Sequence, residues 1–176
     1  MGQLIVLMGP TGAGKSSQGD VLAAALGGTH LSSGKILRDD PTTAGLLTGG
    51  ALAPAAEVER VVGEALDRVP QDHPVILDGF PRTMSNVEWL ENHLAEHSRK
   101  LVRVIFLDLD FETSMQRLGL RDRSDDAPEA VEKKWREFAE KTKPVIEHYE
   151  QLGLLKHVDG RGTMEEVQQL IRAALA

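Results

Sequence analysis

Near the amino terminus, Gly9-Pro10-Thr11-Gly12-Ala13-Gly14-Lys15-Ser16 fits the spacing G-x-x-x-x-G-K-[ST]. Glycines placed this way let consecutive backbone N–H groups turn inward around an anion, and a following helix adds the positive end of its dipole. Lys15 brings a full positive charge to the same spot, so the motif reads as a cradle for a polyphosphate. Its flanks agree, because the apolar run Gln3-Leu4-Ile5-Val6-Leu7-Met8 precedes it as a buried strand and a helix over 16–26 follows. The elements of a GTPase switch do not fit. Thr142-Lys143-Pro144-Val145, the nearest approach to N/T-K-x-D, has no aspartate and lies in a helical stretch. Asp159-Gly160-Arg161-Gly162 has the D-x-x-G form but follows the last strand, too late in the chain to sense a terminal phosphate.

Asp78-Gly79-Phe80-Pro81-Arg82 follows a second apolar strand, Pro74-Val75-Ile76-Leu77. Asp78 thereby falls at a strand's carboxyl end, where open α/β sheets place their ligands. Read with three further segments, this pentapeptide resembles the adenylate kinases and, more broadly, the nucleoside monophosphate kinases. His30-Leu31-Ser32-Ser33-Gly34-Lys35-Ile36-Leu37-Arg38 is similar to the family's monophosphate-site motif, and Gly50-Ala51-Leu52-Ala53-Pro54 to the loop beside it. Arg121-Asp122-Arg123-Ser124-Asp125-Asp126 resembles its lid, in an unusually short form.

The resemblance implies a P-loop NTPase fold: a five-stranded parallel sheet with helices on both faces, a monophosphate-binding segment over about 32–70 and a short lid over about 117–127. It implies reversible transfer of a phosphoryl group from Mg2+-bound ATP to AMP, giving two ADP. The P-loop residues, Ser17, Arg117, Arg161 and Gly162 would hold ATP. Ser33, Gly34, Arg38, Ala53, Gly79, Arg82, Asn86, Arg123 and Lys134 would hold AMP, and Lys15, Arg38, Arg82, Arg117, Arg121, Arg123 and Lys134 would act in catalysis. Asp78, through water, and Ser17 would meet magnesium, although Ser16 offers the same hydroxyl. Such transfer needs two polyanions aligned and their charge cancelled, which planar guanidinium forks supply. Three positions depart from the family pattern: Lys35 stands for aspartate, Lys134 for an arginine, and Asn86 for the glutamine that reads AMP. Asn86 keeps open a UMP/CMP kinase, and Lys134 a catalytically weakened nucleotide-binding protein.

Strands must bring these residues together. Further apolar runs occur at Val102-Arg103-Val104-Ile105-Phe106-Leu107 and Leu154-Leu155-Lys156-His157-Val158, alternating with amphipathic helical stripes over 58–69, 131–149 and 164–175. Alternation of this kind predicts a parallel sheet wrapped on both sides, with Pro144 bending the middle stripe. Trp135, Phe138 and Tyr149 follow the core periodicity of that stripe, and the stretches 41–54 and 119–128 read as candidate mobile loops. His93 and His97, four apart on a helix with no cysteine partner, read as surface histidines. The 176 residues suit one domain, and the net charge of −7 argues against nucleic acid or an anionic membrane as partner. The absence of cysteine excludes disulfides and thiolate metal sites, and with no apolar span and no leader pattern a cytoplasmic monomer acting on small nucleotides is expected.

Overall fold

In the computed structural model, which describes residues 2–46, 53–119 and 128–176, the strands are β1 (Gly2–Met8), β2 (Thr29–Ser32), β3 (Val75–Asp78), β4 (Arg99–Asp108) and β5 (Leu155–Asp159). The helices are α1 (Lys15–Leu26), α2 (Ser33–Asp39), α3 (Ala55–Asp67), α4 (Met84–Glu96), α5 (Phe111–Gly119), α6 (Pro128–Glu137), α7 (Lys143–Gln151) and α8 (Met164–Leu175). Every strand pair is parallel, in the order β2-β3-β1-β4-β5. Parallel neighbours require crossovers, and the helices supply them, covering both faces of the sheet.

Strand alternation divides the core. Leu4, Val6 and Met8 of β1 join Val75, Leu77, Val104 and Phe106 in a layer under α3, α4 and α7. Ile5 and Leu7 join Ile76, Ile105 and Leu107 in a second layer, under α1 and α8. Each such buried aliphatic side chain stabilises the fold by about 1.5–3 kcal/mol, so the register of β1 is fixed from both sides. That register pairs Leu7 with Asp78. The P-loop leaving β1 and the Asp78 turn leaving β3 therefore sit one strand spacing apart, about 4.8 Å.

The long stripe over 131–149 does not simply bend at Pro144. A π-helical turn, Phe138–Thr142, separates α6 from α7, and Pro144 occupies the first turn of α7. Proline has no N–H for the carbonyl four residues back, and widening the turn just before it resolves the mismatch. The aromatic residues of the stripe pack as expected: Tyr149 is fully buried, Phe138 stacks on Phe106, and Trp135 meets Phe111 edge to face. Among the described residues no helix is long and apolar enough to cross a membrane.

Candidate active site

The loop between β1 and α1 takes its shape from Gly9, Gly12 and Gly14, with φ of 142°, 79° and 85°. Side-chain-bearing residues rarely adopt these values. The loop is also braced. Ser114 of α5 donates a 2.7 Å hydrogen bond to the Thr11 carbonyl and accepts one from Trp135 Nε1 at 3.1 Å. The Lys15 ammonium arches over the loop and donates to the Gly9 and Pro10 carbonyls at 2.8 and 2.7 Å. Those are positions from which it can turn to an entering phosphate.

Asp78 is buried beside this loop. One carboxylate oxygen lies 2.7 Å from His30 Nε2, and the other accepts from Ser32 Oγ at 3.2 Å. Burial alone would raise the Asp78 pKa, but the His30 hydrogen bond, the Lys15 charge and the Ser16 hydroxyl outweigh it, and the carboxyl is held below its ordinary value. Ser16 and Ser17 are both exposed, and Ser16 is the one whose hydroxyl acts on Asp78. His30 also meets Asp20 through Nδ1 at 2.7 Å. Burial opposes its charge, but the two carboxylates prevail and raise its pKa.

On one flank, Arg117 of α5 donates to the carbonyls of Gly160, Arg161 and Gly162 at 2.8, 3.0 and 3.4 Å. Gly160 N–H donates to the Asp108 carbonyl at 2.8 Å, which closes the β5–α8 loop against β4. The loop resembling an adenine contact is therefore pinned to the helix that braces the P-loop. The Arg161 side chain turns instead to Asp159, at 2.7 Å.

The other flank follows Asp78 directly. Gly79 has φ of 75°, and a Cβ built there would come 2.5 Å from Ser33 Oγ and 3.4 Å from Arg82 Nη2, so this glycine lets Ser33 and Arg82 converge. Arg82 Nε donates to the Gly79 carbonyl at 2.7 Å. Burial pulls its guanidinium pKa below the ordinary value while the charges of Asp78 and Glu137 pull it up, and arginine stays ionised. Arg38 is exposed on α2, its Nη1 beside Gly34. Ala53 precedes α3, and Lys134 lies half-buried in the last turn of α6. Arg121 and Arg123, with Gly50, Ala51 and Leu52, lie outside the described residues.

Asn86 was expected to face a base. Its side chain is buried, donating to Glu59 Oε1 of α3 at 2.8 Å and accepting from the Arg82 N–H at 3.3 Å. Sequence reasoning missed Glu59, Ser114 and His30 as members of the site. Only His30 left a signal, since His30 and Ser32 are two apart in a strand and so share the side of the sheet on which Asp78 emerges.

Residues 7–154 match the family model described as adenylate kinase. The adenylate kinase of Thermus thermophilus is 38% identical over 190 aligned residues, covering 99% of this chain and 98% of that one. An adenylate kinase of a Synechococcus species is 37% identical over 186 residues, covering all of both chains. That of Nocardia farcinica is 32% identical over 179 residues, covering 97% of this chain and 98% of its own.

Proposed function

Because the chain belongs to the adenylate kinase family, we propose that the P-loop and the β5–α8 loop hold ATP while Ser33, Gly79 and Arg82 receive AMP on the opposite side of Asp78. The reaction is reversible transfer of the terminal phosphoryl group of ATP to AMP, giving two ADP. UMP or CMP as acceptor is not favoured, since the similar proteins carry the adenylate kinase name. The observation that carries the residue assignment is the pairing of Leu7 with Asp78. It puts the P-loop beside the Asp78 turn, with Ser33 and Arg82 on the far side of that turn, a layout that suits in-line transfer.

In the transfer, an oxygen of the AMP phosphate bonds to the γ-phosphorus as the bond from that phosphorus to the bridging oxygen breaks, and the electron pair stays on ADP. Lys15 leaves its loop carbonyls and follows the charge of the transferred group. Arg82 orients the AMP phosphate with Ser33, and Arg38, near the same motif, adds a second guanidinium. Lys134 contributes charge without a bidentate fork. Arg117 holds the loop against which the adenine of ATP rests. Magnesium fits the donors present, since Ser16 and the ionised Asp78 offer oxygen, and Asp78, already bonded to His30 and Ser32, would meet the ion through water. When bound, the ion neutralises phosphate charge. Among the described residues, large exposed apolar side chains are scattered over α1, α4, α5, α8 and the end of α7, which suits a monomer, and ATP and AMP as substrates suit the cytoplasm.

The test is kcat/KM for AMP, UMP and CMP with ATP as donor. AMP should be preferred by at least about tenfold, the value of one well-placed recognition contact. Preference for UMP or CMP would overturn the acceptor and leave the P-loop assignment standing.

A further inference from the structure

At the end of the sheet opposite the P-loop, α3 and α4 finish side by side, and three side chains with metal-binding atoms converge there. Asp67 is the last residue of α3, His93 lies in the last turn of α4, and His97 caps that helix. His93 Nε2 stands 3.1 Å, and His97 Nε2 3.3 Å, from one and the same oxygen, Asp67 Oδ1. All three atoms lie within 4.8 Å of one another. Tetrahedral ligands about 2.0–2.1 Å from a zinc ion are about 3.3 Å apart, so both nitrogen–oxygen separations suit an ion.

The tautomer of His97 is already the one that coordination needs. His97 Nδ1 donates to the His93 carbonyl at 2.8 Å, which leaves the Nε2 of the neutral ring as the atom with a lone pair. The two imidazoles stack with centroids 4.2 Å and planes 23° apart, and Trp89 stacks on His93 at 4.8 Å. Each Nε2 lone pair lies in its own ring plane, so for both to face one ion the partly exposed His97 ring must swing out of the stack while Trp89 holds His93. His93 Nε2 is buried and, among the described residues, meets no aligned hydrogen-bond partner, although Asp67 Oδ1 is so close. An ion between them would satisfy both atoms. Two helix C-termini also converge here, each carrying partial negative charge. Arg99 lines the same cleft, but its guanidinium donates to the carbonyls of Val69, Pro70 and His73, whose dipoles partly meet its charge.

We propose that Asp67, His93 and His97 form a binding site for a divalent ion of the zinc type, with solvent in the fourth position, and that the ion ties the end of α3 to the end of α4. Two imidazole nitrogens and one carboxylate suit zinc and exclude magnesium and calcium as effective competitors, since those ions require oxygen. The site is structural. It lies away from the phosphates and anchors the root of the helix that carries Glu59.

The experiment is calorimetric titration of the nucleotide-free enzyme with Zn2+, alongside thermal unfolding and the visible spectrum of the Co2+ form. One ion per chain should bind, the Co2+ spectrum should be tetrahedral, and Tm should rise by about 5–10 °C at an ion concentration of about 100 Kd. Asp67→Asn, His93→Gln and His97→Gln should each weaken binding by more than about 100-fold, beyond the 10–100-fold typical of outer-shell groups. His157→Gln, a histidine between Asp108 and Glu150 at the far strand edge, should leave it unchanged. His97→Gln, at a partly exposed residue, keeps the test valid if His93→Gln fails to fold. Binding that survives His97→Gln and Asp67→Asn, or that is lost with His157→Gln, or an octahedral Co2+ spectrum with no change in Tm, would overturn the site.

Discussion

On the flank proposed for ATP, the P-loop and the β5–α8 loop offer backbone that neighbouring side chains brace, whereas the flank proposed for AMP consists of side chains gathered by contacts between distant segments. Ser114 and Arg117, three apart on α5, hold the P-loop and the β5–α8 loop through carbonyls. Across Asp78, Ser33 and Arg82 both close on Gly79, where a Cβ would crowd them, and Asn86 joins α4 to Glu59 of α3. A backbone cradle suits a ligand whose identity lies mostly in its phosphates. A side-chain pocket suits the partner whose position must be set before transfer. The difference teaches that the two flanks should fail differently when mutated.

Lys15 stands where the flanks meet, and its loss should have the largest effect. Lys15→Met is expected to lower kcat by about 10²–10³-fold, as for other donors aimed at transition-state charge, with smaller rises in both KM values. A variant with near-normal kcat and a raised KM for ATP alone would confine Lys15 to the ATP flank. Next is Gly79→Ala, where a Cβ 2.5 Å from Ser33 Oγ and a φ of 75° must be accommodated. Strain of about 1–3 kcal/mol is expected, together with a rise of about tenfold in KM for AMP and little change for ATP. Equal rises in steady-state kinetics would erase the distinction between flanks.

Asn86→Gln sharpens the comparison further. If the amide serves to dock α3, AMP:UMP:CMP ratios of kcat/KM should stay within about twofold of wild type while urea unfolding shows a loss of about 1 kcal/mol, one hydrogen bond's worth. A selective change in one ratio would show that the amide reads the base instead. The smallest effect concerns His30, whose raised pKa means the folded state favours its protonated form. That stabilisation is complete below the ordinary histidine value of 6.5 and fades as pH rises through the raised value. His30→Gln should therefore cost about 1 kcal/mol of unfolding free energy near pH 6 and less near pH 9. A cost that grows with pH would contradict the pairing with Asp20 and Asp78.

How much was legible depends on how far the cause lies along the chain. The P-loop could be read because its requirements are local: consecutive positions, three glycines, one lysine, and a strand and helix adjoining. The parallel sheet could be read because burial on two faces leaves long apolar strands, and periodicity separates them from amphipathic helices. The roles drawn from family likeness, among them Arg38 and Lys134, rested on position within motifs. By itself, then, the sequence determined the fold class, the phosphate cradle and the place of Asp78 at a strand end. Only the tertiary structure decided that Ser16 rather than Ser17 faces Asp78, that Asn86 turns to Glu59, and that Asp67 completes a set with His93 and His97. Each depends on which side chains from segments far apart in sequence are brought together, and the crossovers that bring them there leave no period in the chain.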